Sequence, residues 1–227
     1  MSIKENWKLF QEKLKDAADE YHRDMDEITV MAVSKTRSVE EIREAAVCGL
    51  GIFGENRVEE ASEKFAHLDP SKHPLYLIGH LQSNKVNRID SRYSGVHSVD
   101  SVKIARRLSR HRENLQEPLD ILLQVNTSGE IAKSGFMDYE IFRDSVAEIA
   151  ELPFIRLRGL MTMAPFTDDE KIVRNCFSGC REWSGVLNSF VQGDIILSMG
   201  MSSDYRWAVA EGSTMLRVGS ALFGNRK

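Results

Sequence analysis

Only 5 of the 227 residues are proline and only 3 are cysteine, and nowhere do about 20 apolar residues run together as a membrane-spanning helix requires. No membrane-spanning helix is therefore indicated. The opening MSIKENWKLFQEKLKD lacks the apolar stretch of a secretory signal, so a cytoplasmic protein without membrane partners is expected. Cys48, Cys176 and Cys180 are an odd set with no ligand partners nearby, which reads as reduced thiols. The six histidines form neither HxH nor HExxH, and no carboxylate cluster accompanies them, so no metal site is expected. Thirty basic residues against 34 acidic ones leave a charge of -4, which offers no field for a nucleic acid partner. GxSxG and GxxxxGK[ST] are both missing, which removes the usual signatures of serine acyl transfer and P-loop phosphoryl transfer. With no fixed repeat, Pro-rich linker or low-complexity tract, residues 1–227 read as a single domain.

What is present is ordinary globular composition, 42% hydrophobic and 28% charged, arranged with a strong period. Trp7, Phe10, Leu14, Ala17 and Tyr21 recur every three or four positions and predict an amphipathic helix over about residues 4–24. ITVMAVSK follows as a β-branched run, and Ser38 with Glu41 makes a capping box ahead of a helix closed by Gly49. The same alternation continues through LGIFGEN, LYLIGHL, GVHSV, DILLQVN, RLRGLMTM, IILSMG and TMLRVGS, giving eight strand candidates. Near-continuous apolar strands between helices imply a parallel sheet covered on both faces. Eight such units in about 200 residues suit the α/β class and a closed (β/α)8 TIM barrel with an extra N-terminal helix. An open doubly wound sheet would carry a glycine-rich turn after its first strand, where this chain reads SKTRSVEE.

Barrels of this kind gather their chemistry at the carboxyl ends of the strands. Here those ends carry Lys35, Glu55 and Asn56, Gly79 and His80, Asn126, Thr162 and Met163, Ser198 to Ser202, and Arg217 with Gly219. Lys35 follows a strand that is apolar up to Val33. There it is either a partly desolvated amine suited to Schiff-base formation or a solvated charge flanking a buried strand. SMGMSSDY sets Gly200, small enough for close backbone approach, before Ser202, Ser203 and Asp204 at a helix start; RVGSALFG adds Gly219 and Ser220. Those are the two halves of an anion cradle common in such barrels, with Asp204 as a helix cap. Arg217 shares the inward face with Gly219 if the strand stays regular, as a cation for a ligand or as the partner of a structural carboxylate. Asn56 and Asn126 either hydrogen-bond a planar ligand or close turns, and His80 is either an acid/base group or merely hydrogen-bonded. Cys48 reads as helix core.

Seven segments, AVSKT (32–36), FGENRVEE (53–60), IGHLQSNK (78–85), QVNTSGEIAKSGF (124–136), GLMTMAP (159–165), LSMGMSSD (197–204) and LRVGSALFG (216–224), together resemble the pyridoxal phosphate homeostasis protein family, relatives of the alanine racemase barrel. The resemblance runs in order from about residue 30 to the C-terminus. It implies pyridoxal 5'-phosphate as cofactor, held as an aldimine on Lys35. It further implies a phosphate cradle at Ser202 and Gly219 with Ser198 near, Arg217 at the pyridine nitrogen, and Asn56 at the ligand pocket. Arg57 and Tyr76 depart from the residues more usual at their places.

Together with the features above, the resemblance points to a carrier or regulator in vitamin B6 homeostasis that buffers the cofactor or delivers it to apoenzymes, expected to be a cytoplasmic monomer without catalytic residues. An arginine at the ring nitrogen weakens the ring as an electron sink. The racemase relatives add a β-domain with a catalytic tyrosine, for which no residues are expected beyond Lys227. Two alternatives keep the lysine: an amino-acid racemase with His80 opposite Lys35, and a Schiff-base aldolase, which leaves Arg217 without a ring to address.

Overall fold

The computed structural model describes residues 1–130 and 134–224; residues 131–133 of the QVNTSGEIAKSGF segment, Lys133 among them, and residues 225–227 lie outside the described residues. Strands form at all eight apolar runs: β1 (Thr29–Val33), β2 (Phe53–Glu55), β3 (Leu75–Leu77), β4 (Tyr93–Val99), β5 (Leu119–Gln124), β6 (Ile155–Met161), β7 (Ile196–Ser198) and β8 (Met215–Val218). Each pairs in parallel with its neighbours in sequence. β8 returns to β1 with Thr29 opposite Met215 and Ala32 opposite Val218, closing the barrel. The expected (β/α)8 TIM barrel is the fold.

Period 2 sorts the side chains between two cores. Met31, Val33, Ile78 and Met215 fill the barrel interior with Tyr76 and Ile196 against them, while Ala32 joins the larger core between the sheet and its surrounding helices. Those helices are α1 (Ile3–Glu20), α2 (Val39–Val47), α3 (Val58–Phe65), α4 (Val102–Leu115), α5 (Tyr139–Ala150), α6 (Glu170–Ser184), α7 (Tyr205–Ala210) and α8 (Ser220–Phe223). Between β3 and β4 the chain forms a 3-10 helix, Ser83–Arg88.

The N-terminal helix starts at a Ser2–Glu5 capping box and ends at Glu20, earlier than its apolar period suggests. His22 takes a left-handed φ of 53°, which an α-helix cannot continue through. Phe10, Leu14, Ala17 and Ala18 are buried, and the face docks on α7 and α8 through Phe10 against Tyr205 at 5.0 Å and an Asn6 amide bond to the Leu222 carbonyl at 2.9 Å. Burial of Phe10 and Leu14 contributes roughly 1.5–3 kcal/mol each. The helix thus packs against α7, α8 and α2, the helices that neighbour β8 and β1 in sequence.

The capping box at Ser38 and Glu41 forms as expected, and Gly49 turns the chain after α2 with φ 96°. Cys48 differs from expectation: it is the half-buried C-cap of α2, next to the exposed Val47, rather than part of a helix core. Cys176 and Cys180 are buried free thiols on α6. No helix among the described residues is long and apolar enough to cross a membrane.

Candidate functional site

At the carboxyl end of the barrel lies a cavity of about 1100 Å³, walled by residues from nearly every strand end. Lys35 enters it two residues past β1, half-buried, and Asn56 enters one residue past β2. The Asn56 backbone is held against Gly79, where a Cβ would lie 2.1 Å from the Asn56 carbonyl oxygen, so only glycine lets the ends of β2 and β3 meet. The sequence has thereby set a lysine and an amide on adjacent rims of one pocket.

Arg217 reaches the cavity from β8, two residues after the interior Met215, as the period-2 argument requires. Its side chain is buried, and its bonds go to neutral oxygens: Nη2 donates to the Thr162 carbonyl at 2.8 Å, and Nη1 to the Ser198 hydroxyl at 2.9 Å and to the Ser198 carbonyl. Among the described residues it forms no salt bridge, so the structural-carboxylate alternative is not realised. Desolvation lowers its pKa to about 10, with the Asp204 charge pulling the other way, and the guanidinium remains protonated near neutral pH. Beside it His97 is buried with Nδ1 unpartnered; desolvation first and the Arg217 charge second depress its pKa to about 3. With His97 neutral and no carboxylate in direct contact with it among the described residues, Arg217 is a cation at the cavity whose charge is tempered only by the more distant Asp204.

The anion side is assembled from the chain after β7 and after β8. Ser202, Ser203, Gly219 and Ser220 line one wall, and the Ser202 hydroxyl accepts the Ala221 amide at 3.3 Å, tying the two halves together. Gly219 has φ −117°, and a Cβ there would meet Val33 only at 3.5 Å or beyond. Neither backbone nor packing demands glycine at this place, and any side chain would take its room from the cavity. Gly200 corrects the sequence reading. Its φ is 94°, and a Cβ would fall 2.5 Å from that of Ala208 and 2.8 Å from Leu216, so its smallness serves internal packing. Asp204 stands at the N-cap of α7, yet its carboxylate accepts the Met201 amide at 2.5 Å and no helix amide. It shapes the Met201–Asp204 turn.

The remaining sequence candidates divide. Met163 and His80 line the cavity; His80 Nδ1 is 3.3 Å from both an Asp100 oxygen and the Ser134 hydroxyl. Ser198 is fully buried and stands behind Arg217 instead of on the cavity wall. Asn126 closes a turn, donating to the Glu130 carbonyl and accepting from Ser128, and Thr162 bonds the Val125 carbonyl. Arg37, Gln124, Ser134 and the exposed Phe166 also line the cavity and were missed. Gln124, the one polar residue closing the apolar run DILLQ, was the available signal; the others lie in loops without a period to place them.

The residues fit an aldehyde that bears a phosphate and a ring nitrogen: a lysine amine, a hydroxyl and glycine cradle, and a protonated arginine share one cavity. Comparison with known proteins leads the same way. The alanine racemase N-terminal domain model matches residues 2–227. The pyridoxal phosphate homeostasis protein of Pseudomonas aeruginosa is 41% identical over 226 residues, which span 99% of this chain and 96% of that one. PipY of Synechococcus elongatus PCC7942, solved with PLP bound, has a TM-score of 0.82 at 33% identity over 98% of this chain and 100% of its own. An alanine racemase of Clostridium difficile 630 shares the fold at TM-score 0.76 and 16% identity, matching 93% of this chain and 55% of that one.

Proposed function

Since the chain belongs to the pyridoxal phosphate homeostasis protein family, which carries the alanine racemase N-terminal domain, we propose that it holds pyridoxal 5'-phosphate covalently on Lys35 and serves intracellular homeostasis of that cofactor. The observation that carries this reading is the meeting of half-buried Lys35, Arg217 with its bonds to neutral oxygens, and the Ser202 and Gly219 cradle around one cavity. When bound, the cofactor supplies an aldehyde whose carbon takes the lysine amine with loss of one water, reversibly. Ser202 and its neighbouring amides receive the phosphate, Gly219 leaves room for it, and Asn56 hydrogen-bonds the ligand at the rim.

Arg217 donates to the ring nitrogen and keeps it unprotonated, which weakens the ring as an electron sink. The protein in this reading is a carrier or regulator without strong catalysis, working in the cytoplasm as a monomer and passing the cofactor to apoenzymes. A racemase is the second reading, favoured by one observation: the His80–Asp100 pair at the cavity rim.

The deciding experiment is an absorbance spectrum with pyridoxal phosphate, followed by borohydride reduction and peptide mapping. The visible band should vanish in Lys35→Ala while the fold is retained, and the pyridoxyl mass should sit on Lys35. A pyridoxyl mass on Lys85 or Lys133 instead overturns the assignment.

A further inference from the structure

Lys64, on α3, does not line the cavity, yet its ammonium ends beside the strand that delivers Lys35. Nζ stands 2.6 Å from Glu55 Oε1, 2.9 Å from Glu60 Oε1 and 2.8 Å from the Ser34 carbonyl, three acceptors for three N–H groups. The two carboxylates each hold the chain as well. Glu55 Oε1 accepts the Ser34 hydroxyl at 2.7 Å, and Glu60 Oε1 accepts the Thr36 amide at 2.5 Å. Residues 34 and 36, on either side of Lys35, are therefore anchored to the same cation and its partners.

Two further features show that this arrangement is costly. Thr36 has φ 64°, a left-handed conformation that a β-branched residue adopts only when its surroundings impose it. The Glu55 side chain is fully buried with Oε2 unpartnered; desolvation raises its pKa, and Lys64 and Ser34 only partly offset this. Buried ion pairs of this kind are weak sources of net stability, so geometric definition is the better account of what the pair does.

We propose that Lys64, held by Glu55 and Glu60, is a positioning residue for the Lys35 amine, clamping the chain on both sides of it. The same three bonds hold the Lys64 side chain off the cavity wall, away from an incoming aldehyde. The proposal rests on the reading of Lys35 as the attachment point.

Stopped-flow mixing of pyridoxal phosphate with the apoprotein, read at the visible band, tests it. K64M should form the Lys35 adduct about tenfold more slowly, since misplacing a reacting group costs rate directly, and K64R should recover part of the loss. Noncovalent affinity for pyridoxal phosphate, measured by equilibrium dialysis, should be equal in K35A and K35A/K64M. In the apoprotein E60Q should speed hydrogen exchange at the Thr36 amide, which needs no cofactor to observe, and should slow adduct formation even if K64M does not fold. An unchanged rate in K64M, or in E60Q when K64M is unfolded, overturns the clamp alone. A K35A/K64M affinity below that of K35A also overturns it, because Lys64 would then act on the pocket rather than through Lys35. A wild-type adduct on another lysine overturns the function itself, and this proposal with it.

Discussion

Arg217 Nη1 donates to the Ser198 hydroxyl at 2.9 Å, so the cation that faces the cavity is aimed by a serine that does not. Ser198→Ala should remove one of several supports and weaken cofactor binding by about 0.5–1.5 kcal/mol, the net worth of one hydrogen bond. Ser202→Ala, at the cradle itself, should cost about 1–2 kcal/mol with pyridoxal phosphate and almost nothing with pyridoxal. Titration of both ligands against both variants checks the distinction; equal affinity of the parent protein for pyridoxal and its phosphate contradicts an anion site.

Gly219 and Gly200 should respond oppositely to alanine. Gly219→Ala meets only ordinary contacts with Val33 and should leave unfolding free energy within about 0.5 kcal/mol while weakening phosphate binding. Gly200→Ala places a Cβ 2.5 Å from that of Ala208 at φ 94° and should lose about 2–3 kcal/mol of stability. Urea melts of the apoproteins separate the two.

His97 supplies a pH dependence of stability. An unfolded histidine protonates near 6.5, whereas buried His97 does so only near 3, so between these values the unfolded chain binds a proton that the folded one refuses. The histidine's contribution is fully present above pH 6.5 and is lost as pH falls, at about 1.4 kcal/mol per pH unit. In His97→Gln the slope of unfolding free energy against pH should flatten by that amount between pH 6 and 4. An unchanged slope shows that His97 titrates normally.

The carrier and racemase readings part on turnover. With cofactor and L-alanine, chiral chromatography should show no racemisation above that of free pyridoxal phosphate. Arg217→Glu, which favours a protonated ring nitrogen, should raise any latent amino-acid chemistry if the pocket accepts the change. Turnover of roughly 1 per second or faster by the unmodified protein, abolished in His80→Ala, establishes the racemase.

Local pattern alone was enough to place the eight strands, the Ser38–Glu41 cap and the inward direction of Arg217, because each depends on neighbours within a few residues. Strand-end polarity likewise brought Lys35, Asn56, His80, Ser202 and Gly219 to one rim once the barrel was inferred. Helix ends were less legible: α1 stops at Glu20 because of the His22 backbone, which its apolar period does not register.

Other assignments depended on residues far apart in the chain. Ser198 turned from the wall to the support of Arg217 through a bond across 19 residues, and Gly200 became a packing glycine only when Ala208 and Leu216 closed on it. His80 met Asp100, and Lys64 came to bond the Ser34 carbonyl 30 residues away. Residue type and period specify the strands and the direction of their side chains, since those follow from local backbone geometry. Which polar group faces ligand and which faces another side chain is decided by barrel closure, which brings chain-distant donors and acceptors into hydrogen-bond range and leaves few buried polar atoms, such as His97 Nδ1 and Glu55 Oε2, without a partner among the described residues.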